Sequence, residues 1–356
     1  MKNIQVKLGT RSYPIQVKSG LLQSAPALLS EHNHGQKWII ISQHKLMELF
    51  GFQLMNELKN ADFDIDYLTL PIGETAKSLN EFSKLINQMI EYKCDRSSVV
   101  LALGGGVVGD VGGFVSSSFM RGIDYYQIPT TLLAMVDSAI GGKTGINIAE
   151  GKNLIGSIYQ PKGVLVDPKI LNSLPKEETI AGLGEIIKYG AIWDRNFFND
   201  ISFWLDDLNN FPFEKAIFRS CEIKAEIVSK DEREDGLRKL LNFGHTIGHA
   251  LEAYSGYGRI RHGEAVALGM KCAAWISKKI GRLNADDEIH LFNTINKLKL
   301  PNVKKLDPNT ILSFVKKDKK VRNGILHFVV LDKLGKGNTS QEVSEQLIKE
   351  SLRVIQ

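Results

Sequence analysis

Residues 98–113, SVVLALGGGVVGDVGG, decide the fold class of this 356-residue chain. The run Ser98–Leu103 predicts a buried strand, and the stretch Gly104–Gly113 that follows it directly contains six glycines. Such a junction lets the backbone approach a ligand closely and aims the N–H groups at the start of a helix towards a phosphate. A tight turn with close helix–sheet packing stays open as the alternative, because the strict GxGxxG spacing is absent.

The segments around this junction alternate between strand and helix patterns. Strands are predicted at residues 3–8, 13–18, 38–42, 63–71, 125–128 and 164–166, and a helix at 79–92. This alternation predicts an α/β fold in residues 1–172, a mainly parallel, Rossmann-like nucleotide-binding sheet with helices on both faces.

Residues 173–356 predict a mainly α-helical domain. Helices are expected at residues 177–193, 213–234, 237–254, 264–280 and 341–355, with one strand at 325–331. The motif TSQE at residues 339–342 fits a capping box at the start of the last helix.

Composition narrows the class of protein. Hydrophobic residues make up 43% of the chain and the net charge is +5, which suits a globular enzyme with a small anionic substrate rather than a nucleic-acid partner. The three cysteines form no metal motif and cannot all pair, so we expect a cytoplasmic location. We find no apolar run of membrane-spanning length and expect no membrane partner.

A second glycine-rich stretch runs from Asp137 to Gly145 and is followed by Gly151-Lys152-Asn153. Its GGKTG segment is not a P-loop, because Asp137 stands five residues before Gly142, where that motif requires its first glycine. Lysines and an asparagine on glycine-rich loops suit phosphate contacts, while solvated loop lysines are the alternative.

Histidines and acids cluster in the helical half. Glu185 and Lys188 share one helix face, His245 and His249 lie four apart on another helix, and His262-Gly-Glu264 opens the next one. Two or three histidines with one glutamate are the ligand chemistry of catalytic zinc. Spacing leaves open which three bind the metal, and a hydrogen-bonded histidine pair is the alternative. The charged runs at residues 230–235 and 316–320 are expected to be mostly solvated.

Taken together, these motifs resemble those of the 3-dehydroquinate synthases, a family of sugar-phosphate cyclases in the shikimate pathway. The resemblance spans nearly the whole chain. It rests on Arg121-Gly122 and on GETAKS at 73–78, GGGVVGD at 104–110, PTTLLAMVDSAIGGKTGIN at 129–147, GKNLIG at 151–156, GLGEIIKYG at 182–190, LNFGHTIGHALE at 241–252 and HGEAVALGM at 262–270.

The resemblance implies roles for individual residues. It implies a divalent metal, Zn²⁺ or else Co²⁺, on Glu185, His245 and His262, with His249 as a catalytic group beside it. It implies NAD contacts from Gly73, Glu74, Thr75, Ala76, Lys77, Gly106, Val107, Val108, Gly109, Asp110, Thr130, Thr131, Asp137, Lys143, Lys152, Ile170, Leu171, Asn172 and Ser173. It implies substrate phosphate and carboxylate contacts from Arg121, Lys152, Asn153, Lys188, Lys224, Arg238, Asn242 and Lys319. Gln43 stands where many members carry Asp or Asn near the adenosine ribose.

The implied reaction converts 3-deoxy-D-arabino-heptulosonate 7-phosphate to 3-dehydroquinate and phosphate. It proceeds by transient oxidation, phosphate elimination, re-reduction and intramolecular aldol closure, and Arg121 is expected to reach the second subunit of a homodimer. The alternatives are a cyclase of the 2-deoxy-scyllo-inosose or valiolone type, whose substrate lacks a carboxylate, and a metal-dependent polyol dehydrogenase. Arg238 argues against the first, and the phosphate-binding residues argue against the second.

Overall fold

The computed structural model describes residues 2–256, 259–303, 306–317 and 328–356, and the backbone of 321–322 and 325–326. The chain forms two compact units, Met1–Leu174 with Lys224–Ser229 and Pro175–Ile223 with Lys230–Gln356. The segment 224–229 thus groups with the first unit although the expected division at residues 172 and 173 assigns it to the second.

The first unit contains nine strands and five α-helices within the described residues. The strands are β1 (Lys2–Val6), β2 (Tyr13–Val17), β3 (Lys37–Gln43), β4 (Asp64–Leu70), β5 (Val99–Gly104), β6 (Asp124–Pro129), β7 (Lys143–Ile148), β8 (Gly151–Ile158) and β9 (Gly163–Val166). The helices are α1 (Ala25–Leu29), α2 (His44–Leu46), α3 (Phe52–Lys59), α4 (Leu79–Glu91) and α5 (Gly106–Ser118).

Seven of these strands form one sheet in the order β1-β2-β9-β6-β5-β3-β4, and all pairs except β1–β2 are parallel. Every residue of β5 is buried, and its alternate side chains enter two different apolar clusters. Val100 and Ala102 belong to one cluster, while Val99 and Leu101 belong to the other. A continuous apolar run is what a strand covered on both faces requires, so the predicted α/β sheet is confirmed.

The chain order of these strands places a switch point between β5 and β3, next to the edge strand β4. The connection from β3 leads to β4 on one side, whereas β5 pairs on the other side of β3. Nucleotides bind at the carboxyl ends of strands where the order reverses in this way. Here those ends are Gln43 of β3 and Gly104 of β5, and Ser42 Oγ donates a hydrogen bond to Leu103 O across them at 2.7 Å.

The second unit is mainly helical, as predicted. Its helices are α6 (Lys176–Trp193), α7 (Arg195–Trp204), α8 (Phe213–Lys230), α9 (His245–Ser255), α10 (His262–Lys279), α11 (Ala285–Asn296), α12 (Pro308–Lys317) and α13 (Glu345–Ser351). Residues 224–229 of α8 are the part of this helix that groups with the first unit. Two short hairpins accompany them, β10 (Val321–Arg322) with β11 (Ile325–Leu326) and β12 (Phe328–Lys333) with β13 (Lys336–Ser340).

Two helix predictions in this unit were wrong in detail. The helix expected over residues 237–254 is broken, because Gly244 adopts a left-handed φ of 81° between a 3₁₀ turn, Leu237–Asn242, and α9. The expected capping box at Thr339–Glu342 is absent from the structure, since Thr339 lies in β13. Ser344 caps α13 instead, by accepting a hydrogen bond from Leu347 N at 3.2 Å.

None of the helices in the described part of the chain combines the length and apolar character that crossing a bilayer requires.

Candidate active site

Most of the residues expected to bind NAD follow the carboxyl ends of parallel strands in the first unit. Gly73–Lys77 follow β4, Gly106–Asp110 begin α5 directly after β5, Thr130 and Thr131 follow β6, and Ile170–Ser173 follow β9. The loops after β5 and β6 meet directly, because Thr130 N donates a hydrogen bond to Gly104 O at 3.0 Å. A Cβ at Gly106 would lie 3.0 Å from the buried Ser138 Oγ, so the start of α5 is closely approached by the turn that carries Asp137.

A buried lysine joins two of these loops. Lys77 Nζ donates to Asp110 Oδ2 at 2.6 Å and to Asn153 Oδ1 at 2.5 Å. Burial raises the pKa of Asp110, and the charge and hydrogen bond of Lys77 oppose that shift. Because Lys77 occupies Oδ1 of Asn153, the amide presents Nδ2, its donor group, for contacts with an anion. The structure therefore links a residue expected at NAD with one expected at the substrate.

Lys224 lies beside the glycine-rich stretch of the first unit. Its Nζ donates to Asp137 Oδ1 at 2.6 Å and to Asp137 O at 2.5 Å. Lys143 begins β7 and Lys152 lies on β8, the strand that pairs with it. The hairpin β7–β8, which the sequence patterns did not predict, therefore carries Lys143, Lys152 and Asn153 together.

In the second unit, Glu185 and three histidines converge. His245 Nε2 lies 3.8 Å from Glu185 Oε1, and His262 Nε2 lies 3.7 Å from the same oxygen. One ring nitrogen from each of His245, His249 and His262 lies within 4.8 Å of the other two. Residues from α6, α9 and α10 are thus brought together although they are far apart in the chain.

Two glycines beside these residues allow the helices to approach so closely. A Cβ at Gly263 would lie 1.8 Å from Ala181 O, and a Cβ at Gly184 would lie 2.4 Å from Gly263 O. Real Cβ atoms do not approach backbone at such distances, so both positions require glycine. Each glycine adjoins a candidate ligand, Glu185 on α6 and His262 on α10, and the backbone contact therefore sets the separation of the two ligands.

The cluster fits a divalent cation. Glu185 is fully buried, and neither of its oxygens accepts a hydrogen bond of good geometry from the described residues. Lys188 Nζ, itself 1% exposed, forms an ion pair with Oε2, which leaves Oε1 facing the histidines. Separations of 3.7 and 3.8 Å are near the roughly 3.4 Å between ligand atoms of a tetrahedral site with bonds of about 2.1 Å. A metal ion between these ring nitrogens and Oε1 would compensate the buried charge of the carboxylate.

Arg238 and Asn242 lie on the 3₁₀ turn that precedes α9. Arg238 is buried and its Nη1 donates to Glu232 O at 2.5 Å, while Asn242 Nδ2 donates to Glu234 Oε1. The carboxylate of Asp231 holds this loop by accepting hydrogen bonds from the backbone N–H groups of Asp235, Gly236 and Arg238 at 2.8–3.0 Å. The charged residues 231–235 therefore form an ordered loop after α8, and none of these five is buried.

Arg121 lies in the first unit on a strained turn. It is exposed and has a φ of 70°, next to Met120 with a φ of 49°. Tyr159 braces this turn, because its hydroxyl donates to Ile123 O at 3.0 Å. Lys319 lies outside the described residues.

Two acids of the second unit also lie at these residues, although the sequence patterns did not single them out: Glu234 beside Asn242 and Glu252 beside His262. His262 Nδ1 and Glu252 Oε2 are 3.0 Å apart. Glu252 follows His245 by seven residues and His249 by three, so helical spacing alone places it on their face of α9. This spacing is the feature of the sequence that could have identified Glu252 as a neighbour of the histidine cluster.

Two family models match adjacent parts of the chain. They are described as the N-terminal and C-terminal parts of 3-dehydroquinate synthase, and they cover residues 67–181 and 182–321. The 3-dehydroquinate synthase of Rippkaea orientalis is 41% identical over 97% of this chain and 96% of its own. That of Desulforamulus reducens is 42% identical over 97% and 98%.

Solved structures show the same architecture. The 2-epi-5-epi-valiolone synthase of Streptomyces hygroscopicus, solved with NAD⁺ and Zn²⁺, is 26% identical with a TM-score of 0.88 over 96% of both chains. A 2-deoxy-scyllo-inosose synthase, solved with carbaglucose-6-phosphate, NAD⁺ and Co²⁺, is 27% identical with a TM-score of 0.88 over the full length of both. Glycerol dehydrogenase of Schizosaccharomyces pombe, 16% identical with a TM-score of 0.66 over 95% of this chain and 87% of its own, shares the fold alone. By the two family models and the near full-length relatives, this chain belongs to the 3-dehydroquinate synthase family.

Proposed function

We propose that the chain converts 3-deoxy-D-arabino-heptulosonate 7-phosphate to 3-dehydroquinate and inorganic phosphate, with bound NAD and one divalent metal ion, Zn²⁺ rather than Co²⁺. As a member of this family it is an enzyme, a phosphorus–oxygen lyase. The observation that carries the proposal is the convergence of Glu185, His245 and His262 in the second unit. The first unit carries glycine-rich loops at the switch point of its sheet.

Two bound groups supply chemistry that side chains lack. Glu185, His245 and His262 would hold the metal, which supplies Lewis-acid polarisation of substrate hydroxyls. The loops after β4, β5, β6 and β9 would hold NAD, which supplies a reversible hydride acceptor. The start of α5 supports this placement, because its N–H groups and the helix dipole favour a diphosphate.

The remaining polar side chains would bind and orient the substrate. His249, whose ring centre lies 5.4 Å from that of His245 and 5.6 Å from that of His262, would move the proton of a substrate hydroxyl. Arg238 would hold the carboxylate by a two-pronged contact. Lys152, Asn153, Lys188, Lys224 and Asn242, with Arg121 of a second copy and Lys319, would hold the phosphate and the remaining polar groups. We further propose that the enzyme is a homodimer, that it is cytoplasmic and that it acts in aromatic amino acid biosynthesis.

The deciding experiment measures phosphate release and NADH together. The heptulosonate phosphate is the substrate, and NAD is supplied at a far lower concentration. We expect the phosphate released to exceed the NAD present and NADH not to accumulate. NADH formed in proportion to substrate would support the dehydrogenase alternative instead. Equal turnover of a sugar phosphate without a carboxylate would support the other cyclases.

The near full-length relatives favour the main hypothesis over both alternatives. They are 41–42% identical and carry the name 3-dehydroquinate synthase, whereas the two other cyclases are 26–27% identical. The similarity to glycerol dehydrogenase, at 16% identity, supports the fold but does not support a dehydrogenase activity.

A further inference from the structure

The side chain of Glu252 lies behind the histidine cluster. It is on α9, mostly buried, and its Oε2 is 3.0 Å from Nδ1 of His262, the first residue of α10. The opposite nitrogen of that ring, Nε2, faces Glu185 Oε1 at 3.7 Å. Glu252 therefore contacts His262 on the side away from the candidate metal position.

This arrangement determines the tautomer of His262. A carboxylate accepts hydrogen bonds and donates none, so the hydrogen of the neutral ring lies on Nδ1 and the lone pair on Nε2. His245 is arranged in the same way, because its Nδ1 lies 3.2 Å from the carbonyl oxygen of Phe243 and its Nε2 faces Glu185. Both rings thus present Nε2 to the same carboxylate oxygen.

The two histidines differ in what holds them. The side chain of His245 is 10% exposed, and its outer partner is the backbone carbonyl of Phe243 just before α9, so burial and local backbone hold the ring. The side chain of His262 is 31% exposed, and its outer partner is a side chain from another helix. The less enclosed ring therefore depends more on its hydrogen bond.

We propose that Glu252 is a positioning residue of the metal centre. It holds His262 in the Nδ1–H tautomer, orients Nε2 towards Glu185 and raises the basicity of that nitrogen. Such outer partners of histidine ligands typically contribute 10–100-fold to metal affinity. The inference rests on the proposed function in one respect, that the Glu185–histidine cluster binds a divalent cation.

The test is the Zn²⁺ affinity of metal-free protein, measured by competition with a chelator of known affinity. We expect Glu252→Ala to bind Zn²⁺ about 10–100-fold more weakly than the unaltered protein. Glu252→Gln should recover most of this loss, because its amide oxygen can accept the same hydrogen bond. The visible spectrum of bound Co²⁺ should change in Glu252→Ala, because the His262 ring is no longer held in one orientation.

The matched control is Glu48→Ala. Glu48 also pairs with a histidine, Oε1 to His44 Nε2 at 3.3 Å, but both side chains are exposed and lie in the first unit. This variant should bind Zn²⁺ with unchanged affinity. The thermal midpoint of each metal-free variant reports whether the fold is intact.

The outcomes separate this inference from the proposed function. Unchanged Zn²⁺ affinity in Glu252→Ala overturns the inference and leaves the proposed function standing. Weak binding in both Glu252 variants, together with a lower thermal midpoint of the metal-free protein, also overturns it, because the effect is then general destabilisation. Absence of a stoichiometric metal site in the unaltered protein contradicts the proposed function itself.

Discussion

His245 and His249 lie four residues apart on one helix and face the same cluster, yet we expect them to play different roles. All three histidines offer nitrogens within 4.8 Å of one another, so distance alone allows either residue to be a ligand. The orientation of His245 towards Glu185, with Nδ1 held by the carbonyl of Phe243, favours it as the ligand. We therefore predict that His249 is the proton-transfer group.

Substitution of each histidine separates these roles. His245→Ala should lose most of its metal, because three protein ligands fall to two. His249→Ala should keep its metal and its fold and lose about 10²–10⁴-fold in turnover, the usual contribution of a positioned acid or base. Metal content per subunit and kcat are measured for both. Equal metal loss in the two variants would instead make His249 a ligand.

Arg238 is predicted to bind the substrate carboxylate through its guanidinium fork. Arg238→Lys keeps the charge but loses the two-pronged contact, so kcat/KM should fall roughly ten- to more than a hundredfold, equivalent to about 1.5–3 kcal/mol. Arg233→Lys, on the same loop but exposed, is the control and should leave kcat/KM unchanged. An unaltered kcat/KM in Arg238→Lys would limit this residue to holding the loop through Glu232 O.

At the scale of elements, the close packing of α6 and α10 determines the separation of the candidate ligands. Gly263→Ala should force the two helices apart, because the new Cβ would lie 1.8 Å from Ala181 O. We expect a loss of about 1–3 kcal/mol in stability and weaker Zn²⁺ binding. Thermal unfolding and metal affinity are the measurements. Gly236→Ala is the control, since a Cβ there would approach only Asp231 Oδ2, at 3.8 Å; equal effects of both would contradict the packing argument.

The loop before α9 should respond to pH through Asp231. Burial would raise the pKa of this carboxyl, but its hydrogen bonds from backbone N–H groups prevail and lower it. Because its pKa is lower in the folded than in the unfolded protein, Asp231 stabilises the fold at pH values above its unfolded-state pKa of about 3.9. This stabilisation is lost as the pH falls through the folded-state pKa. Asp231→Ala should cost roughly 1–3 kcal/mol near neutral pH. The difference from the unaltered protein should shrink in acid, as measured by denaturant unfolding; a constant difference would contradict this account.

For the whole molecule, the proposal assigns the metal to one unit and NAD to the other. Each bound group stabilises the folded chain according to its concentration and affinity, by about 2.7 kcal/mol at a hundredfold excess over Kd. Glu185→Gln should therefore abolish the rise in thermal midpoint caused by Zn²⁺ while the rise caused by NAD remains. Lys77→Met, which removes the partner of Asp110, should show the reverse pattern. Loss of both responses in either variant would contradict the assignment.

The sequence by itself determined the α/β sheet, the helical second unit and the family. A continuous apolar strand followed by six glycines, and histidines at helical spacing, are local patterns whose periods are set by backbone geometry. It did not predict the β7–β8 hairpin or the break at Gly244, because short polar strands and left-handed glycines give no periodic signal. The roles of the individual site residues stay predictions.

Only the tertiary structure decided which side chains pair across elements. Lys77 with Asn153, Lys224 with Asp137 and Glu252 with His262 come from segments separated by 76, 87 and 10 residues. Spacing along one helix or strand is determined by its repeat, whereas distances between elements depend on how closely their backbones pack. Within the second unit, the glycine contacts between α6 and α10 bring the candidate ligands close to one another. Within the first unit, the strand order of the sheet places the glycine-rich loops at one edge.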